Sequence, residues 1–76
     1  MLTFKEWLIK YKDKDTIRGD LAKDIIRDRN FPDTVDKEKV FSYMEYQLRL
    51  HDNKQVFSTF KRMYADYLKT HQNQHN

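Results

Sequence analysis

Residues 53–70 read NKQVFSTFKRMYADYLKT, and their spacing decides the fold. Val56, Phe57, Phe60, Met63, Tyr64, Tyr67 and Leu68 recur at intervals of three and four, covering an arc of about 140° on a helical wheel. Lys54, Ser58, Lys61, Arg62, Ala65 and Lys69 fall on the opposite side. This is an amphipathic helix with an aromatic inner face, capped by Asn53 or Asp52. Such a face needs a partner surface of equal length, and the rest of the chain supplies it in three more segments.

Working back, residues 36–50 form a second strongly patterned helix. Val40, Phe41, Met44 and Leu48 make one face, with Tyr43, Tyr46 and Leu50 toward the other. A helix apolar over most of its circumference is usually central, so this one is expected to be the element around which the others pack. His51-Asp52-Asn53 is a polar turn. Before it, Phe31 precedes Pro32. The residue before proline avoids the α region, which stops the preceding helix near Arg29-Asn30 and makes Phe31 an anchor into the core. That preceding helix starts near Asp15 or Thr16 and carries the stripe Ile17, Leu21, Ile25, broadened by Ala22, Ile26 and Gly19. Glycine costs a helix about 1 kcal/mol relative to alanine, so Gly19 is expected to let a neighbouring helix approach. At the start, Thr3 and Glu6 form a capping box, Leu2 is placed to pack on Trp7, and Phe4, Trp7, Leu8 and Tyr11 share one helical face.

The composition agrees with four helices. One Gly and one Pro leave few turn makers, and the absence of Cys removes disulfides, thiolate metal sites and thiol nucleophiles. A single Gly also excludes a glycine-rich phosphate loop. Charged residues are 36% and hydrophobic residues 38%, yet the chain has five Phe, five Tyr and one Trp, too aromatic for a disordered one. At 76 residues it is one domain at most. The expectation is an all-α fold, a single compact four-helix bundle over residues 1–70 with a polar flexible tail at 71–76. No segment is apolar enough to span a membrane and no secretory signal is expected, which points to the cytoplasm.

The order Phe4…Trp7-Leu8…Tyr11, Asp15-Thr16-Ile17…Leu21-Ala22, Phe31-Pro32, Phe41-Ser42-Tyr43-Met44-Glu45 and Thr59-Phe60…Tyr67 resembles the YozE-like proteins, short proteins of low-GC Gram-positive bacteria. The resemblance reaches to about Leu68, and its most specific part is the Phe31-Pro32 step with its spacing to Tyr43. It implies a SAM-like fold, a small open four-helix bundle similar to sterile alpha motif domains. It brings no activity, cofactor or catalytic residue with it. Where a Trp is looked for late in the last helix, this chain has Tyr64.

Charge is unevenly placed. Residues 1–30 hold 8 Lys+Arg and 6 Asp+Glu, residues 31–53 hold 3 and 5, and residues 54–76 hold 4 and 1. The last segment therefore carries a net +3, on the outer face of the last helix. Small Ser58 and Ala65 lie along the middle of that face with Lys54, Lys61, Arg62 and Lys69 around them. Small side chains flanked by cations suit a phosphate backbone or an acidic protein surface. The same spacing also describes an ordinary solvated helix face. A basic last helix beside an acidic middle is an arrangement with which SAM-like domains associate head to tail. Tyr11 and Tyr46 are candidates for a partner patch, or else close the rim of a small core.

Enzyme readings find little support. Ser42 and Ser58 lie within helices with no elbow or oxyanion turn. Asp20, Asp24 and Asp28 alternate with Arg18, Lys23 and Arg27, as in surface pairing along a helix. His71 and His75 have zinc-ligand spacing but no carboxylate near them after Asp66. The expectation is a non-enzymatic interaction module without metal, cofactor or small-molecule substrate, a monomer or weakly self-associating. Its partner is a protein or a second copy, with nucleic acid on the basic face of the last helix as the alternative.

Overall fold

The computed structural model describes residues 2–51 and 54–72, with side chains described for 2–47 and 54–70. It contains four helices: α1 (Phe4–Leu8), α2 (Ile17–Arg27), α3 (Lys37–His51) and α4 (Lys54–Gln72). Asp52 and Asn53, read above as turn and cap, lie outside the described residues.

α1 begins as its capping box dictates. Glu6 N–H donates to Thr3 Oγ1 at 3.2 Å, and Thr3 N–H donates to Glu6 Oε1 at 2.9 Å. The helix is short. After Leu8 it tightens into a 3₁₀ turn, Ile9–Tyr11, so Tyr11 belongs to that turn and not to a continuous α-helix.

α2 is capped by Thr16, whose Oγ1 accepts from Gly19 N–H at 3.1 Å. It ends at Arg27, earlier than Arg29-Asn30. Asp28 leaves the helix in extended conformation, and its Oδ1 accepts from Asn30 N–H at 3.0 Å, an Asx turn that competes with a further helical turn. The chain then drops Phe31 into the core, 3% exposed, as its place before Pro32 implies. Ile17 is a correction: it stands 57% exposed, so the buried stripe of α2 is Leu21, Ala22 and Ile25.

Gly19 is also a correction. A Cβ at this position would stand 1.9 Å from the Lys14 carbonyl oxygen, so the close neighbour is the loop leading into α2 and not another helix. The glycine lets the chain fold back over the first turn of α2.

α3 is capped by Asp36, whose Oδ1 accepts from Glu38 N–H at 3.0 Å while its carbonyl accepts from Val40 N–H at 3.2 Å. It is not the central helix. α4 packs against α1, α2 and α3, whereas α3 packs on α4. The reason lies in the chemistry of its apolar residues. Val40 and Met44 are buried, but Tyr43 keeps its hydroxyl at a polar site and Tyr46 is 61% exposed, so among the described side chains, which exclude Leu48 and Leu50, only one side of α3 is committed to the core.

The core is aromatic. Phe4 is fully buried and contacts five rings, those of Trp7, Phe31, Phe60, Tyr64 and Tyr67, with centroids 4.9–6.5 Å away. Phe41 of α3 closes the other side against Phe60 and Tyr64. Such ring pairs contribute about 0.5–1.5 kcal/mol each beyond area burial. α4 continues to Gln72, two residues beyond Thr70. The remaining tail residues, 73–76, lie outside the described residues.

Candidate interaction surface

The inner face of α4 is fixed by burial of Phe60, Met63, Tyr64 and Tyr67. With that face turned inward, 3.6 residues per turn places the remaining side chains outside. Lys54, Ser58, Lys61, Arg62, Ala65 and Lys69 are all exposed, on one continuous strip along the helix.

The strip carries cations only. Asp66, the acidic residue of α4, turns to α2 and accepts from Arg18 Nη1 at 3.0 Å. With both side chains about two-fifths exposed, this bridge adds at most about 1 kcal/mol. Its larger effect is to remove the carboxylate from the strip. Lys61 Nζ lies 5.0 Å from the centre of the Phe57 ring, which steadies its stem without neutralising its charge. Among the described residues, none of Lys54, Lys61, Arg62 and Lys69 has a carboxylate partner. A model of the YozE SAM-like fold matches residues 3–69. The chain belongs to the YozE SAM-like family. No curated protein and no solved structure matches it.

This YozE SAM-like chain holds its two candidate tyrosines differently. Tyr11 is half-buried, its ring 5.1 Å from Trp7 and under Lys10 Nζ at 5.4 Å. Tyr46 stands in solvent on α3. They lie on separate elements with no ring contact between them, and neither belongs to the α4 strip.

The α2 carboxylates are not paired along their helix. Among the described residues the ion pair is Arg18–Asp66, between helices, so Asp20 and Asp24 face solvent without a cation. Both line a groove of about 140 Å³ between α2 and α4 with Ile17, Leu21, Val56 and Thr59. A second groove of about 250 Å³ shares Leu21, Asp24 and Val56 and continues to Asp28, Phe31 and Tyr43.

At the far end of that groove sits a polar node that sequence reading passed over. Asp28 Oδ2 accepts from the Tyr43 hydroxyl, which in turn accepts from Gln47 Nε2 at 3.1 Å. The Asp28 carbonyl accepts from Lys5 Nζ at 2.9 Å. Burial, then the hydrogen bond to Asp28 and its charge, push the Tyr43 phenol up to about 12, against a smaller opposing effect of Gln47. Asp28 alone looks like any helix-ending aspartate. What could have signalled the node is a tyrosine on the less apolar side of α3, with a hydroxyl needing a partner.

Among the described residues no three His, Cys, Asp or Glu side chains gather as a metal site, and no helix is long and apolar enough to cross a membrane. His75 and the side chain of His71 lie outside the description.

Proposed function

We propose that this chain is a small, non-enzymatic interaction module of the cytoplasm that binds a protein partner or a second copy through the outer face of α4. The observation that carries this reading is the strip of Lys54, Lys61, Arg62 and Lys69, exposed and, among the described residues, unpaired, while the acidic residue of the same helix is turned aside to Arg18. Four cations held on a rigid helix attract an acidic surface at long range and set its orientation on contact. The grooves beside α2 present carboxylates and aliphatic side chains and, at one end, the hydrogen-bonded pair of Tyr43 and Asp28.

Affinity capture from lysate, with and without nuclease, tests the reading. A protein retained after nuclease treatment and lost with Lys61→Glu plus Arg62→Glu supports it. Capture indifferent to both substitutions rejects the α4 face.

A second reading rests on Ser58 and Ala65. Two small side chains between cations leave room for a phosphate backbone to approach the helix. Fluorescence anisotropy with duplex and single-stranded DNA tests this alternative. It requires binding at low salt that weakens steeply as salt rises and is lost in the same double variant; no binding at low salt excludes it.

A further inference from the structure

The start of the chain leaves an apolar cavity open. Leu2 precedes the Thr3 cap, a position from which an apolar side chain packs on the first turns of a helix. Its carbonyl accepts from the Tyr67 hydroxyl, yet its side chain remains 49% exposed, and that of Ile9 52%. Both line a cavity of about 510 Å³ with Glu6, Trp7, Lys10 and Thr70. That volume lies within the range of small-molecule sites.

Trp7 gives this cavity a chemical demand. The residue is 4% exposed, and its Nε1 is buried without an acceptor among the described residues. A buried donor left unpaired is costly, and an oxygen brought to it relieves that cost. Lys10 Nζ lies 4.6 Å from the centre of the Trp7 ring and has no carboxylate partner among the described residues. Glu6 stands four residues before Lys10, the spacing of a helical ion pair, but its Oε1 accepts from Thr3 N–H at 2.9 Å. An indole N–H and an ammonium group, both without an oxygen to hold, thus stand beside two exposed aliphatic side chains.

We propose that this cavity binds an aliphatic carboxylate, a straight apolar chain ending in one carboxyl group. The chain lies over Leu2 and Ile9, and the carboxylate accepts from Trp7 Nε1 and Lys10 Nζ. Lys10 is exposed on a flexible stem, so it swings off the ring as the anion enters and then holds it. An ammonium head would meet Lys10 with like charge and bring no acceptor. A hydroxyl head brings an acceptor but no charge, and a charge-assisted bond is about twice as strong as a neutral one. The cavity shares no residue with the α4 strip, and the proposal does not rest on that strip being a contact face.

The chain has one Trp, so the ¹⁵N-labelled protein gives one indole N–H signal that reports on this site alone. Titration with sodium decanoate, kept below its micelle concentration, should move that signal downfield to saturation. Acetate should leave it in place, and lengthening the chain should raise affinity by at most about fourfold per methylene. Lys10→Gln should weaken decanoate binding at least about fivefold. Glu6→Gln should tighten it, because glutamine also serves in a capping box while a negative charge leaves the cavity wall. Equal helical circular dichroism in the parent and both variants shows that they remain folded.

An indole signal that does not move with decanoate overturns the proposal. So does decanol moving it as far as decanoate at the same concentration, or decanoate binding unchanged in Lys10→Gln.

Discussion

The Tyr43 hydroxyl donates to the Asp28 carboxylate, joining α3 to the residue that ends α2. Through its own carbonyl the same Asp28 also holds Lys5 of α1. One aspartate thus ties three helices together at the point where the chain reverses toward Phe31. Tyr43→Phe removes the donor and leaves a half-buried carboxylate short of a partner. The expected loss is about 1–3 kcal/mol, read as a lower midpoint in guanidinium unfolding. A double-mutant cycle with Asp28→Asn should show coupling; additive losses would mean the bond does not act in solution.

The same pair gives a pH dependence. The Tyr43 phenol, ordinarily near 10.0, is pushed up to about 12. The folded chain therefore holds this proton more tightly than the unfolded chain does. Its contribution is complete below pH 10 and is lost as pH rises from about 10 to about 12. Unfolding free energy measured across that window should fall more steeply in the parent than in Tyr43→Phe. Burial raises Tyr64 and Tyr67 as well, so some decline remains in the variant. Parallel curves would refute the assignment to Tyr43.

Two neighbouring core tyrosines should respond in opposite ways to the same change. The Tyr67 hydroxyl donates to the Leu2 carbonyl, while the Tyr64 hydroxyl is buried without a hydrogen-bond partner. Tyr67→Phe should cost about 1 kcal/mol, a shift of about 4–8 °C in Tm for a domain of this size. Tyr64→Phe removes an unsatisfied group and should leave Tm unchanged or raise it. Thermal unfolding of the two variants side by side decides the matter, and a marked loss in Tyr64→Phe would show that its hydroxyl finds a partner in solution.

Gly19→Ala should be destabilising although alanine is the better helix former. The new methyl would meet the Lys14 carbonyl at 1.9 Å, and that atom is backbone, so the loop itself must move. Overpacking of this kind costs about 1–3 kcal/mol, more than the gain of about 1 kcal/mol in helix propensity. A Tm above that of the parent would refute the contact.

These cases also show what local sequence carries. Thr3 with Glu6, Thr16 with Gly19 and Asp36 with Glu38 are partners within three residues, and their helix starts can be read from spacing alone. The inner and outer faces of α4 are legible for the same reason: once Phe60 and Tyr64 point inward, Lys61 and Arg62 have one place to go. The partners of Asp28 and Arg18 are different in kind. Tyr43 is 15 residues from Asp28, and Asp66 is 48 from Arg18, so each pairing depends on how helices cross. The place of α3 is not legible for a related reason. A wheel shows which residues are apolar, but not whether a tyrosine hydroxyl will hold its side of the helix at the surface.

The cage around Phe4 has a consequence for synthesis. Three of its five ring partners, Phe60, Tyr64 and Tyr67, belong to α4, more than fifty positions further along the chain. During translation α1 can meet α2 and Phe31 before α4 is made, but the cage stays open on the α4 side until residues 60–67 follow. A chain interrupted before residue 60 therefore leaves Phe4, Trp7 and Phe31 without the rings of α4 that cover them, open to whatever chaperone or protease surveys nascent polypeptides.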